Sequence, residues 1–258
     1  MDGLERLAIF IAVLLIMIAL ELLIPRRQLR HSRWQRWSAN FSLSLLSMVL
    51  MRFTIASAAL FAATIASENK WGLLNHIDLG IGMQFILSIV LLDLAIYGQH
   101  RASHQWPWLW RLHKVHHTDL DFDVTTAIRF HPIEILLSMC YKVICILIIG
   151  VNPVAVIIFE IILSSCALFN HSNVKLPLAI DKVLRLVLVT PDMHRVHHSV
   201  IQTETDSNYG FSMSVWDRLF GSYVAQPKLG HNNMTIGLSQ YQHIDDVSVS
   251  RLLLMPFK

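Results

Sequence analysis

The feature that most constrains the fold of this 258-residue chain is a series of five long apolar runs. They cover residues 7–24, 41–67, 81–98, 133–150 and 153–169. A helix of about 17–25 apolar residues is long enough to cross the hydrocarbon layer of a bilayer. The composition supports the same interpretation, since 54% of the residues are hydrophobic and only 15% are charged. We therefore predict an all-α integral membrane protein.

The first three runs predict three spanning helices, and the last two predict a helical hairpin. Gly150-Val151-Asn152-Pro153 separates the arms of this hairpin and is a turn signal. Each arm has about eighteen residues, so the hairpin fits either two further spans or a re-entrant structure. The more polar stretches 100–131 and 171–258 are expected to form one helical lobe. All of residues 1–258 then belong to a single membrane domain.

The distribution of cations predicts which side of the membrane the lobe occupies. Of the 21 Lys and Arg, 17 fall in the lobe or in the basic loop that follows the first run, on the same predicted side. Lys and Arg accumulate on the cytoplasmic side of membrane proteins. The lobe is therefore expected in the cytoplasm, at the inner membrane of a bacterium or the endoplasmic reticulum of a eukaryote. A net charge of +3 is too small to indicate a nucleic-acid partner.

Four of the charged residues inside the apolar runs predict two ion pairs. Lys142 and Glu160 lie nine residues before and nine residues after Val151, so an antiparallel hairpin places them at the same depth. Because an unpaired charge within a membrane is costly, we expect these two side chains to pair. Arg52 and Asp93, at comparable distances from the cytoplasmic side, form a second candidate pair.

Histidines at helical spacings indicate a metal site. His100 and His104 form an H-x-x-x-H pair, and two H-x-x-H-H clusters begin at His113 and His194. Residues three or four apart share one face of a helix, and neutral imidazole is a common metal ligand. Eight imidazoles exceed the about four ligands of one zinc ion, so two metal ions are expected. The predicted ligands are His100, His104, His113, His116, His117, His194, His197 and His198, with His171 as a ninth.

Other histidines are expected to have different roles. His131 lies three residues before Glu134 and is predicted to support a ligating imidazole rather than to bind metal itself. The isolated histidines at positions 31, 76, 231 and 243 are expected to be ordinary structural residues. The three cysteines lie in apolar segments without a C-x-x-C spacing, so they predict neither a metal site nor a disulfide framework.

An ordered set of short motifs carries a resemblance to a known family. The motifs are H-R-A-S-H, H-K-V-H-H-T, R-F-H-P-I-E, N-H-S-N, H-R-V-H-H-S, D-S-N-Y-G and W-D-R-L-F-G-S-Y. Together they resemble the fatty acid hydroxylase and sterol desaturase superfamily over roughly residues 90–225. Asp93 and Tyr97 resemble the lead-in to the first motif of that family. Ser222 stands where the family more often has Thr, which keeps the hydroxyl group.

The resemblance implies a non-haem di-iron centre that activates dioxygen and oxidises an unactivated C–H bond of a lipid. Two irons per chain are implied, with zinc as a possible substitute in purified protein. No catalytic side chain is implied beyond the metal ligands, whereas Asp206 and Asn208 are implied as partners of ligating imidazoles. Hydroxylation is the leading reaction, and desaturation is the alternative because both begin with the same hydrogen abstraction. A fatty acyl chain, a sterol or a related lipid fits equally well.

The sequence contains neither a fused haem-binding carrier nor a flavin or nicotinamide fingerprint. A separate electron donor of the cytochrome b5, ferredoxin or flavoprotein type is therefore expected. A non-catalytic membrane protein that binds or transports metal is the competing hypothesis. Transport predicts ionisable ligands distributed through the spans. The histidines of this chain collect at one edge of the spans instead.

Overall fold

Regular structure in this protein is helical apart from three isolated β-bridges, within residues 3–54 and 57–258, which the computed structural model describes. The first seven helices are α1 (Gly3–Leu23), α2 (Arg33–Thr54), α3 (Ala58–Glu68), α4 (Ile81–Gln105), α5 (Pro107–His117), α6 (Pro132–Ile149) and α7 (Pro153–Asn170). The remaining helices are short: α8 (Leu178–Leu184), α9 (Pro191–His197), α10 (Gln202–Thr205), α11 (Val215–Leu219), α12 (Gly230–Asn233) and α13 (Val249–Leu254). Single 3-10 turns occupy Leu73–His76, Val124–Ile128, Ile244–Val247 and Met255–Phe257.

Five helical segments are long and apolar enough to cross a membrane. They are Gly3–Leu23, Arg33–His76, Ile81–Gln105, Pro132–Ile149 and Pro153–Asn170. Their outer faces carry large apolar side chains, such as Phe53 with 84% and Ile148 with 67% of its surface exposed. An apolar surface of this extent is unfavourable in water. The protein is an all-α integral membrane protein, as predicted.

Two predicted runs differ from the helices that cover them. The run 41–67 falls on α2 and α3, and residues 55 and 56 between these helices lie outside the described residues. The run 81–98 is extended by α4 to Gln105, so that His100 and His104 lie on a membrane helix. Pro107 explains where α4 ends, because a proline disfavours the helical conformation of the residue before it. Trp106 is accordingly extended, and Pro107 opens α5.

The predicted turn between α6 and α7 is present. Gly150 ends α6 with a φ of 75°, and the Asn152 side chain caps α7 by accepting the backbone N–H groups of Val154 and Ala155. This turn contacts the connection between α3 and α4. A Cβ atom on Gly72 would lie only 2.2 Å from the Gly150 nitrogen, so the two backbones touch because neither residue has a side chain.

The intramembrane core lies between α3, α4, α6 and α7. Helix α3 contributes the small side chains of Ala59, Ala62 and Ala63, which let the neighbouring helices approach closely. Larger side chains such as Leu92 of α4 and Phe159 of α7 fill the space against them. This packing fixes α4 and α6 next to each other. Both helices have polar side chains at or near the histidines, so their relative position affects the site.

The first predicted ion pair is formed, and the second prediction is wrong. Lys142 Nζ lies 2.7 Å from Glu160 Oε1, and Arg6 Nη1 lies 2.7 Å from Glu160 Oε2. Asp93 is 2% exposed, but its Oδ2 accepts hydrogen bonds from the Trp216 indole at 2.9 Å and the Met213 backbone at 3.2 Å. Arg52 lies on an exposed face of α2, and no pair with Asp93 forms among the described residues. Neutral donors from the lobe bind one oxygen of Asp93 instead.

Two buried polar side chains attach the membrane helices to the lobe. Glu21 of α1 accepts the backbone N–H groups of Val124 at 2.7 Å and Asn173 at 2.6 Å. Arg36 of α2 donates to Asp119 and Asp123 at 2.6 Å each, and all three side chains are fully buried. Burial alone would raise the pKa of Asp119, but the Arg36 and Arg129 guanidiniums hold that pKa well below its usual range. These contacts hold the segment that directly follows the 113–117 histidine cluster.

Replacement of Arg36 should test the importance of this network. We expect Arg36→Met to lower the stability by about 3–5 kcal/mol, because Asp119 and Asp123 would remain buried without their counter-charge. The exposed Arg30 provides the matched control, and Arg30→Met should leave the unfolding midpoint almost unchanged. Tryptophan fluorescence during heating of the detergent-solubilised protein measures both. Equal midpoints for the two variants would contradict the role assigned to Arg36.

Candidate metal centre

The fold brings all nine histidines predicted as ligands together, in two groups. The five-histidine group contains His100, His104, His113, His117 and His197. The four-histidine group contains His116, His171, His194 and His198. Within each group one ring nitrogen of every member lies within 4.8 Å of those of the other members. The groups adjoin, since the rings of His117 and His198 stack with centroids 4.6 Å apart.

The i,i+4 histidine pairs stay together in the two groups. Residues four apart lie on the same face of a helix, whereas adjacent residues point about 100° apart. Each i,i+4 pair therefore stays within one group: His100 with His104, His113 with His117, and His194 with His198. The middle histidine of each H-x-x-H-H cluster, His116 or His197, belongs to the other group. Each cluster thus contributes to both groups.

The helices that carry the histidines begin and end at well-defined signals. Helix α5 runs from Pro107 to His117, so the first cluster occupies its last turn. Helix α9 begins at Pro191, and the Thr190 side chain caps it by accepting the Met193 backbone N–H. His171 directly follows the last residue of α7 and caps that helix. The short α9 has only seven residues, so its position depends on tertiary contacts.

Six imidazoles hold their Nδ1 atom against an acceptor of the protein. Backbone carbonyls accept from four of them, with the pairs His100–Tyr209 at 2.8 Å, His116–Arg129 at 3.2 Å, His171–Ala167 at 2.9 Å and His197–Ser207 at 2.6 Å. Carboxylates lie against the other two, with the pairs His113–Glu134 at 2.6 Å and His104–Asp206 at 3.3 Å. An Nδ1–H that donates to an oxygen leaves the lone pair on Nε2. The Nε2 lone pairs are therefore directed into the two groups.

The ring nitrogens that face into the two groups are better suited to bind a metal ion than to hydrogen-bond with one another. Among the described residues, Nε2 of His104, His113 and His197 and both ring nitrogens of His117 and His198 are buried without a hydrogen-bond partner. In the four-histidine group, His171 Nε2 lies 3.1 Å from Nε2 of both His116 and His194. Buried polar atoms without partners are costly and rare. A bound cation in each group would satisfy one nitrogen of each of these rings.

Burial keeps these imidazoles neutral, which is the form that binds metal. Removal from water lowers the pKa of His197 to about 3 and the pKa of His171 to about 4. The same cause lowers the pKa values of His116, His117, His194 and His198 well below the usual range. All six are therefore uncharged near neutral pH. Imidazole ligands of this kind suit iron, zinc and copper alike.

The three residues predicted to support the ligands have different positions. Asp206 contacts the His104 ring, as given above. The Asn208 side chain hydrogen-bonds to the backbone of Met193 and Val224 rather than to an imidazole of the described residues, and it holds α9 against the following loop. His131 differs from the expectation. It caps α6 by accepting the Ile133 N–H, and its other ring nitrogen faces the Leu253 carbonyl at 3.3 Å.

Sequence reasoning missed Glu134 as a support of the site, whereas the family resemblance implied that Asp217 buttresses the second histidine cluster. Glu134 carries the shortest carboxylate contact to a histidine of the groups, and its position in the first turn of an apolar helix was the available signal. Asp217 accepts the backbone N–H groups of Tyr209 at 2.7 Å and Gly210 at 2.8 Å. It thereby fixes the Tyr209 carbonyl that faces His100. Backbone acceptors of this kind leave no mark in the sequence.

A cavity of about 230 Å³ borders the five-histidine group. His100 and His113 form part of its wall, and it extends between α4, α6 and α7 as far as Met139 and Lys142. Most of the lining is apolar. Its position allows an apolar chain to lie beside the histidines, within the membrane helices.

Comparisons with known proteins agree with this geometry. The family model described as fatty acid hydroxylase matches residues 85–222, just over half of the chain, and this range contains all nine histidines. The chain is 29% identical to an ornithine lipid hydroxylase of Rhizobium tropici over 57% of its length and 44% of that relative. It is 30% identical to human alkylglycerol monooxygenase over 52% of its length and 29% of that relative.

A third relative is sphinganine C4-monooxygenase 1 of Arabidopsis thaliana, with 26% identity over 56% of the chain and 55% of the relative. The matched region thus spans between about a third and about half of the length of these curated relatives. No solved structure matches the chain. The extent of the family match, together with the histidines that it contains, shows that the chain belongs to the fatty acid hydroxylase family.

Proposed function

We propose that this protein is a membrane-bound non-haem di-iron oxygenase that hydroxylates an unactivated C–H bond of a lipid. The observation that carries the proposal is the pair of adjacent groups of buried histidines, one of which borders an apolar cavity. A lipid chain in this cavity would lie where the five-histidine group can act on it. Dioxygen and electrons from a separate donor complete the reaction.

In this proposal each histidine group holds one iron. Bound iron would supply the activation of dioxygen and the oxidation of the C–H bond. The protein holds the Nε2 atoms in place through the carbonyls and carboxylates on the Nδ1 side. Such outer hydrogen bonds orient a ligating imidazole and select its tautomer. The burial of the rings excludes water from the metal side, and the cavity wall orients the chain.

Hydroxylation is preferred to desaturation because the relatives described above are named as a hydroxylase and as monooxygenases. A lipid substrate fits both those names and the apolar cavity. We place the histidine lobe on the cytoplasmic side, since 17 of the 21 Lys and Arg fall in the lobe or in the basic loop. A soluble or membrane-bound donor of the cytochrome b5, ferredoxin or flavoprotein type would reach the centre from that side.

Metal analysis tests the two-site assignment. Protein purified from iron-replete cells should contain about two irons per chain, and zinc at the same stoichiometry would support the sites without supporting iron. We expect His194→Ala to lower the iron content to about one per chain, because it leaves the four-histidine group with three ligands. His76 is exposed, so the His76→Ala variant should retain about two irons per chain. Wild-type protein without metal would overturn the proposal.

Product analysis tests the reaction. Membranes that contain the wild-type protein should form a lipid with one additional oxygen, which derives from isotopically labelled dioxygen. His197→Ala should abolish this product while the variant still inserts into the membrane, because His197 belongs to the five-histidine group beside the cavity. A product with a new double bond and no added oxygen would favour desaturation. Unchanged oxidation by His197→Ala would refute the ligand assignment.

A pair of variants at Glu134 tests the outer hydrogen bonds. Glu134→Leu removes the acceptor that faces His113 Nδ1, so metal affinity should fall by about 10- to 100-fold. Glu134→Gln keeps an acceptor oxygen of nearly the same shape and should retain most of the affinity. Competition with a chelator on the purified proteins measures both values. Equal losses in the two variants would show that the hydrogen bond is not what matters at this position.

A further inference from the structure

The cavity ends at a charged residue, which is unusual for a chamber within membrane helices. Glu134, Ser138 and Lys142 recur at intervals of four along α6, so they lie on one face of the helix. All three line the cavity. Eight residues separate the two ends of this polar stripe, which corresponds to about 12 Å along a helix. Lys142 therefore lies about 12 Å deeper than Glu134, which contacts His113.

The other two members of the stripe are already engaged with the protein. Glu134 faces the His113 ring at 2.6 Å, and the Ser138 hydroxyl donates to the Gln99 side chain at 3.2 Å. Glu134 Oε2 is buried without a hydrogen-bond partner, but a carboxylate oxygen accepts, whereas Lys142 is the member of the stripe that can donate to a further oxygen. Its ammonium group has three N–H donors, and among the described residues one hydrogen bond from it is found, to Glu160 at 2.7 Å. Its side chain is 11% exposed, so bulk water does not satisfy the remaining donors.

Glu160 does not require Lys142 as a counter-charge. Arg6 already lies 2.7 Å from the other oxygen of the same carboxylate, and an Arg6–Glu160 pair would be neutral by itself. Arg6 approaches Glu160 from the side of α1, outside the cavity. A second cation at this depth is costly within a membrane unless another group uses it. The cavity is the space in which that group can lie.

We propose that Lys142 is a specificity-determining residue that binds an oxygen atom carried by the lipid substrate, about 12 Å from the carbon beside the five-histidine group. The inference rests on the function proposed above and defines its substrate class. The substrate is a lipid chain with a carboxyl, ester or hydroxyl oxygen at that distance, rather than a plain hydrocarbon. Such an oxygen accepts from the free N–H groups of Lys142 and fixes which carbon faces the histidines.

Binding measurements can test this assignment without turnover. The probes are hexadecane, 1-hexadecanol and hexadecanoic acid, which compete with tritiated 1-hexadecanol for the full-length metal-loaded protein in detergent. Wild-type protein should prefer the two oxygenated chains over hexadecane. Lys142→Met should reduce that preference by about tenfold to a hundredfold, the effect of one charge-assisted hydrogen bond. Tighter binding of 1-hexadecanol would indicate that the substrate oxygen is neutral, and tighter binding of hexadecanoic acid would indicate that it is anionic.

Arg6→Met is the matched control, because it removes the other cation from Glu160 without changing the cavity wall. It should keep the wild-type preference, and Lys142→Arg should keep most of it. An unchanged preference in Lys142→Met overturns the proposal, and so do equal losses in Lys142→Met and Arg6→Met, which would indicate a purely structural ion pair. Metal content is measured on every variant. Loss of preference with full metal content supports Lys142 even if the protein oxidises no lipid.

Discussion

The structure depends on how its buried imidazoles are held. One ring nitrogen must be hydrogen-bonded to the protein, while the other must remain free to bind a metal. Six histidines achieve this with an acceptor at Nδ1, and four of the six acceptors are backbone carbonyls. A carbonyl acts as an acceptor only where the chain itself is held. The loop at 206–210, the segment at 118–131 and the end of α7 must therefore be rigid. Much of the protein outside the histidines provides that rigidity.

The rigidity comes from polar side chains buried where the membrane helices meet the lobe. Glu21 binds two separate parts of the chain, whereas Arg36 and Asp217 each hold one segment through two buried hydrogen bonds. In a protein whose outer surface faces lipid, apolar packing distinguishes poorly between alternative arrangements, since lipid is as apolar as the side chains. Charge-assisted hydrogen bonds have directional geometry, so they do distinguish between alternative arrangements of the helices. They explain why three distant segments converge on one small volume.

Sequence reasoning located the charges within the membrane but identified only one pair. Lys142 and Glu160 are on adjacent arms of one hairpin, so their common depth follows from counting residues. Asp93 and Arg52 lie on helices that are joined by a longer connection, and no local rule fixes which faces meet. One oxygen of Asp93 accepts a hydrogen bond from Trp216, which lies 123 residues away in the lobe. A contact over that separation depends on the tertiary fold.

By itself, the sequence determined the helical membrane architecture, the turn at Gly150 and the set of nine histidines that converge. These follow from hydrophobic run length, from turn residues and from the 3.6-residue period, which are all local properties. Only the tertiary structure decided how the nine divide into groups of five and four. It also decided that Glu134 rather than His131 supports a ring, and that Arg6 reaches Glu160. The physical reason is that helix period sets the direction of a side chain, whereas the packing of whole helices sets what it meets.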